Sequence, residues 1–159
     1  MSWCIYKHTS PTGKCYIGQT SKEPEARWAN GKGYKTQFLF NLAITLWGWQ
    51  NFTHEILEEN IPTLQEANQR EKYWIHVYNT YLNGYNMRAQ TGGSADFRCR
   101  AYLLGSHFLM VMNAKKQYKS GMKTVIKFFN LKTGYDLDNK LEQDYQAFLQ
   151  KNHGIVPMI

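Results

Sequence analysis

Two short apolar runs near the N-terminus constrain this chain more than anything else in it. Residues 3–8 (WCIYKH) and 14–20 (KCYIGQT) are rich in β-branched and aromatic side chains and read as strands. Between them lies Ser10-Pro11-Thr12-Gly13, with proline and glycine where a β-turn wants them. The expectation is a β-hairpin. Tyr6, Tyr16 and Gly18 have the same parity within their strands. The right register therefore puts both tyrosines on one sheet face.

The 159 residues suffice for one domain with a core, or for a small domain plus an appendage. With 43 % hydrophobic and 15 % aromatic residues, a disordered composition is excluded. No apolar run approaches the ~18 residues that span a bilayer, and no secretory signal pattern opens the chain, so no membrane partner is expected. Cys4, Cys15 and Cys99 are irregularly spaced. They argue against a disulfide framework and for a reducing, cytoplasmic setting. A zinc site built from them with His8 fits no usual ligand spacing.

The net charge of +7 is uneven. Residues 97–135 hold eight Lys/Arg and no acid. Such a stretch points to a polyanion, most often nucleic acid, the bland alternative being a solvated basic surface.

After the hairpin, residues 20–31 read as a short helix capped by Thr20 or Ser21, with Pro24 in its first turn. Residues 37–47 are apolar on nearly every side and predict a buried helix ending near Gly48. Residues 51–59 read as a third strand. Thr63 and Glu66 form a capping-box pattern opening a helix over 63–79. Glu71 falls inside its apolar stripe, between Ala67 and Trp74/Ile75. A carboxylate on an inward face is costly unless it is paired or binds a cation. A turn-rich stretch, 83–93, leads to an expected boundary near 91–94. Beyond it, 99–117 reads as helix broken near Gly105, 123–137 as strand and turn, and 138–151 as a terminal helix.

The order of these pieces resembles the GIY-YIG endonuclease module. The resemblance rests on Cys4-Ile5-Tyr6, Tyr16-Ile17-Gly18, Arg27 in the next helix, Glu71 in a later one, and Gly84-Tyr85-Asn86 followed by Gly92-Gly93. It covers residues 1–93, leaving 94–159 as a basic DNA-binding or accessory region. It implies an α/β (α+β) fold, a small three-stranded antiparallel sheet flanked by helices. It implies a divalent-metal-dependent endonuclease of phage or homing type, with Mg²⁺ or Mn²⁺ held by Glu71. Tyr6 or Tyr16 would activate or position the attacking water, Arg27 would stabilise the phosphate, and Asn86 would support the site. A homodimer would be one route to cutting both strands. The sequence departs from the pattern twice: Cys4 stands for a glycine, and Gly31 stands where many members carry a histidine. Lys32 or Lys35 is the expected substitute donor there.

The chemistry suits these residue types. Mg²⁺ prefers oxygen ligands and keeps most of its waters, so one carboxylate plus phosphate can hold it. Arginine offers a planar donor fork to phosphate. Tyrosine, with an ordinary pKa near ~10, needs a neighbouring cation to serve as base, and Lys7, Lys14 and Arg27 are candidates. DNA contacts are expected from Lys14, Lys32 and Lys35 in the module, and from Arg98, Arg100, Lys115, Lys116, Lys119, Lys123, Lys127 and Lys132 beyond it. Two other readings use the same residues: a structure-selective repair or recombination nuclease, and an inactive DNA-binding protein of the same fold. The co-occurrence of Tyr6, Tyr16, Arg27 and Glu71 speaks against the second.

Overall fold

Strands β1 (Trp3–Thr9) and β2 (Cys15–Thr20) form the expected hairpin in this computed structural model, which describes residues 1–89, 97–117 and 121–154. Ser10 O accepts from Gly13 N at 2.9 Å, and Gly13 takes a φ of +94°, a left-handed conformation that glycine adopts without a Cβ penalty. The third strand, β3 (Thr53–Ile61), lies two residues later than its sequence pattern suggests and pairs antiparallel with β1. The order is β2-β1-β3, which leaves β2 at an edge.

Register sorts the two sheet faces. Tyr6 pairs with Gly18 and His8 with Tyr16, so the two tyrosines do share a face. Gly18 is required there: a Cβ on it would sit 2.5 Å from the Tyr6 ring. The other face carries Ile5, Lys7, Ile17 and Gln19.

Each face has its own cover. The tyrosine face packs under an aromatic layer from α1 (Pro24–Trp28), the 3₁₀ segment Ala29–Tyr34 and α2 (Phe38–Trp47). Tyr16 stacks on Phe40 with centroids 4.3 Å apart, and Tyr6 meets Trp28 edge-on at 5.6 Å. The opposite face packs under α3 (Leu64–Val77). Gln19 donates to Asn68 at 2.6 Å, and the Lys7 ammonium lies 3.9 Å from the Tyr78 ring centroid. Thr63 caps α3 as expected, accepting from Glu66 N at 3.1 Å. Arg70 of α3 donates from Nε to both Glu58 oxygens on β3, at 2.7 and 3.0 Å.

A short helix α4 (Thr80–Asn83) precedes the Gly84–Asn86 turn. The boundary expected near 91–94 lies outside the described residues. Then come α5 (Phe97–Leu104), α6 (His107–Gln117), α7 (Met122–Phe128) and α8 (Gly134–Lys151). The break near Gly105 is where the sequence puts it. Other expectations are corrected. Neither Thr20 nor Ser21 caps α1; its N-cap is Glu23, and Thr20 Oγ1 accepts from Lys22 N instead. The stretch read as strand and turn, 123–137, is helical at both ends. Its β-branched run Thr124-Val125-Ile126 is folded into α7, where Val125 is fully buried. The terminal helix starts four residues early, at a capping box closed by Thr133 and Asp136.

Helix α8 packs back onto the hairpin. Asp138 is buried and accepts from Ser10 Oγ at 3.1 Å, Thr12 Oγ1 at 2.5 Å, Trp47 Nε1 at 3.2 Å and Tyr85 OH at 2.5 Å. One carboxylate thus ties the β1–β2 turn, α2 and the Gly84–Asn86 turn to the last helix.

Replacing Gly18 with alanine forces the Tyr6 ring to move in a filled core. The expected cost is about 1–3 kcal/mol, lowering the melting temperature by roughly 2–4 °C per kcal/mol. An unchanged midpoint in thermal denaturation would refute the close approach.

Candidate active site

The exposed edge of β2 is where the site forms. Ile17 is fully buried, and its backbone groups point away from β1. Asn86 takes both: its Oδ1 accepts from Ile17 N at 2.8 Å, and its Nδ2 donates to Ile17 O at 2.9 Å. Tyr85 N donates to Cys15 O at 2.9 Å. The turn therefore covers the strand edge as a short pseudo-strand. Gly84 permits the approach, because a Cβ there would lie 2.6 Å from Cys15 O.

Beside this edge is a cavity of about 80 Å³, lined by Tyr16, Gln37, Glu71, Ile75, Asn86, Met87 and Arg88. Tyr16 reaches it from the aromatic face of the sheet and Glu71 from α3. Ala67, Glu71 and Ile75 form the buried row of that helix, as the pattern requires, and Glu71 is only 4 % exposed. Asn86 lines the cavity with its amide committed to Ile17, so it shapes the site.

Tyr6 lies behind Tyr16, fully buried, and its approach to Tyr34 falls short of hydrogen-bond geometry. Burial pushes Tyr6 up to about 12, opposed by the Arg27 guanidinium. Burial also raises Tyr16 well above the usual tyrosine value, with Tyr6 and Glu71 adding to it and Arg27 and Arg88 opposing it. The tyrosine acidity expected from sequence is thus reversed: desolvation outweighs the nearby cations. Of the three candidate neighbours, Arg27 is the one that acts on these tyrosines. Lys7 is held by Glu55 and Tyr78, and Lys14 by Asn83 and Glu142.

Arg27 is half-buried on α1. Its Nη1 donates to Gly33 O at 2.5 Å and its guanidinium lies 4.7 Å from the Tyr34 ring centroid, which leaves the rest of the fork for a ligand. The expectation for Gly31 also gains a physical reason. Its φ is +87°, and a Cβ there would come within 3.1–3.3 Å of Trp49 and Ile44. A histidine at this position would be strained and crowded. Lys32 and Lys35 are exposed.

Sequence reasoning missed four residues of this region: His8, Tyr34, Gln37 and Arg88. His8 is fully buried at the centre of the aromatic layer. Its Nε2 lies 2.7 Å from Tyr34 OH, and its Nδ1 lies 2.9 Å from His54 Nδ1. Burial, then His54, then Arg27 depress it to about 2, so it stays neutral. Its parity with Tyr6 was the available signal. Arg88, two residues past Asn86, is exposed at the cavity mouth.

The basic residues divide. Arg100 is fully buried, with Nη1 donating to Gly84 O and Asn86 O, both at 2.7 Å. Lys14 is buried, donating to Asn83 at 2.5 Å and Glu142 at 2.8 Å. Neither can meet DNA as placed, because each is spent on interior acceptors. Lys123, Lys127 and Lys132 are exposed and Lys115 is half-buried. Arg98, Lys116 and Lys119 lie outside the described side chains.

Among the described residues, no group of three or more Asp, Glu, His or Cys comes together, and no helix is long and apolar enough to cross a membrane. A lone carboxylate on a cavity with room for several waters suits a hard cation that keeps its hydration shell. The residues present therefore fit Mg²⁺ or Mn²⁺, with Glu71 as the holding group.

A mixed α/β domain with this sheet, this covered edge and this carboxylate defines the class. The chain belongs to the GIY-YIG family: the family model for the GIY-YIG catalytic domain matches residues 2–86, just over half of it. Among solved structures, the catalytic domain of the intron endonuclease I-TevI, in a mutant form, is similar at 26 % identity. That match has a TM-score of 0.49 and covers 58 % of this chain and all of the other. No curated protein matches the chain.

The buried neutral histidine makes stability depend on pH. His8 binds a proton near 6.5 when unfolded and resists it when folded, so stability is lost as pH falls below about 6.5. The loss approaches about 1.4 kcal/mol per pH unit. Denaturant titrations between pH 4.5 and 7 should show this slope, with His54, also depressed by burial, adding to it. His8→Phe should flatten it by about that amount; an unaltered slope would mean His8 is protonated in the fold.

Proposed function

We propose that this protein is a DNA endonuclease of the phage or homing type, hydrolysing phosphodiester bonds with Mg²⁺ or Mn²⁺ at Glu71. What supports this reading above all is the meeting of Tyr16 and Glu71 on one cavity at the edge covered by Asn86, within the range matched by the family. A cation held there would offset charge on the leaving 3′-oxygen. The chain's own groups divide the remaining work. Glu71 holds the cation. Tyr16 faces the cavity and positions the attacking water through its hydroxyl. Arg27 and Arg88 offer donors to the phosphate, where charge accumulates in the transition state. Tyr6, behind Tyr16, supports its ring. A base role for Tyr16 needs its proton affinity lowered on binding substrate and cation, since burial alone raises it.

DNA would lie across the cavity mouth, with Lys32 and Lys35 on the catalytic side and Lys123, Lys127 and Lys132 on the C-terminal side supplying phosphate contacts. We assign catalysis to residues 1–93 and an accessory role to 94–159. Cutting both strands would take two copies or two successive encounters.

Supercoiled plasmid with Mg²⁺ is the direct test. The wild type should nick or linearise it, and EDTA or Glu71→Ala should abolish this. Arg27→Ala should slow cleavage by about 10²–10³. Cleavage that survives Glu71→Ala would refute the site; a silent wild type that still shifts DNA on a gel would refute the activity.

A further inference from the structure

Arg100 lies 14 residues beyond the range that the family model matches, yet it reaches the core of the site. It is fully buried, and burial lowers it only to about 10, so it stays charged at neutral pH. Its Nη1 bridges two backbone carbonyl oxygens, Gly84 O and Asn86 O, at 2.7 Å each. Those carbonyls flank Tyr85, whose hydroxyl donates to buried Asp138 at 2.5 Å. The turn is thus gripped twice from the C-terminal part of the chain, once through its backbone and once through its central side chain. What the turn carries is the Asn86 amide, which fixes both backbone groups of Ile17, next to Tyr16.

We propose that Arg100 is a positioning residue of the active site, locking the Gly84–Asn86 turn so that Asn86 holds the Tyr16–Gly18 strand in register with the Glu71 cavity. A buried guanidinium is costly to keep, and a surface phosphate contact would not need it there. The fork is suited to the task, since a planar group spans two carbonyls at fixed spacing, where an ammonium is a point donor. The region beyond the family module is then part of the catalytic scaffold.

The effect on catalysis rests on the nuclease reading, but the grip itself can be read without activity. In the full-length chain, Arg100→Met keeps length and removes every donor. Amide hydrogen exchange followed by NMR should rise at Ile17 by tenfold or more, while Tyr16 and Gly18, whose N–H groups face β1, stay protected. At saturating plasmid with Mg²⁺, the single-turnover rate should fall by about 10–100-fold, because small misplacements of reacting groups are expensive. DNA affinity, measured with Ca²⁺ in place of Mg²⁺, should stay within about twofold. Arg100→Lys, which keeps the charge but not the fork, should fall between, and it carries the test if the methionine variant does not fold. Unchanged Ile17 exchange in the folded variant overturns the proposal. So does lost DNA affinity at an unchanged saturated rate, which would make Arg100 a phosphate contact. If the wild type cuts no DNA yet Ile17 exchange responds, the nuclease reading fails and the grip stands.

Discussion

The two hydrogen bonds between Asn86 and Ile17 are the interaction on which the rest depends. An edge strand ends in a row of unpaired donors and acceptors, and here Ile17 is fully buried. Leaving its N–H and C=O unsatisfied would cost roughly 1–3 kcal/mol each. A side-chain amide has the same donor and acceptor as a backbone unit, so one asparagine completes the ladder without adding a strand. The arrangement works only if the turn comes very close, which is why position 84 is glycine. Residues far apart in sequence, the Tyr-Ile-Gly strand and the Gly-Tyr-Asn turn, are thus halves of one contact.

That contact also explains where the cavity lies. The two sheet faces are sealed by different layers, aromatic on one side and α3 on the other. A tyrosine on one face and a glutamate over the other can meet only past an edge. β1 is central and β3 is tied to α3 by Arg70 and Glu58, so the β2 edge is the place left. The same geometry buries the tyrosines, and burial sets their acidity. Arg27 lies near enough to oppose the shift and still does not win, since taking a phenolate out of water costs more than one partly solvated cation returns.

The local elements were largely legible from sequence because their signals are local. Pro11 and Gly13 specify the hairpin turn, Thr63 the start of α3, and the misplaced charge in the Ala67–Ile75 row singled out Glu71. What was not legible depended on partners distant in the chain. His8 looks like an ordinary strand residue until Tyr34 and His54 are brought against it. Val125 and Ile126 have strand propensity, and tertiary packing overrides it. The start of α8 was missed because its capping box uses Asp136, which reads equally well as a turn residue. Of Asn86, sequence resemblance gave the supporting role, and only the register shows that both ends of its amide are spent.

The basic C-terminal segment shows how a charge count misleads when burial is ignored. Eight Lys/Arg without an acid read as one polyanion-facing surface. Arg100 removes itself by turning inward to backbone carbonyls, where its charge serves geometry. Lys123 and Lys127, by contrast, sit four residues apart on α7, both exposed, with Phe128 exposed beside them. Like charges at that spacing destabilise a helix by about 0.2–0.5 kcal/mol, a cost that bound phosphate would relieve. Phosphate contacts of this kind set affinity and salt dependence and carry no sequence information. On the proposed reading, α7 strengthens DNA binding generally, and the choice of cleavage site must come from how DNA bends or opens to reach the Glu71 cavity.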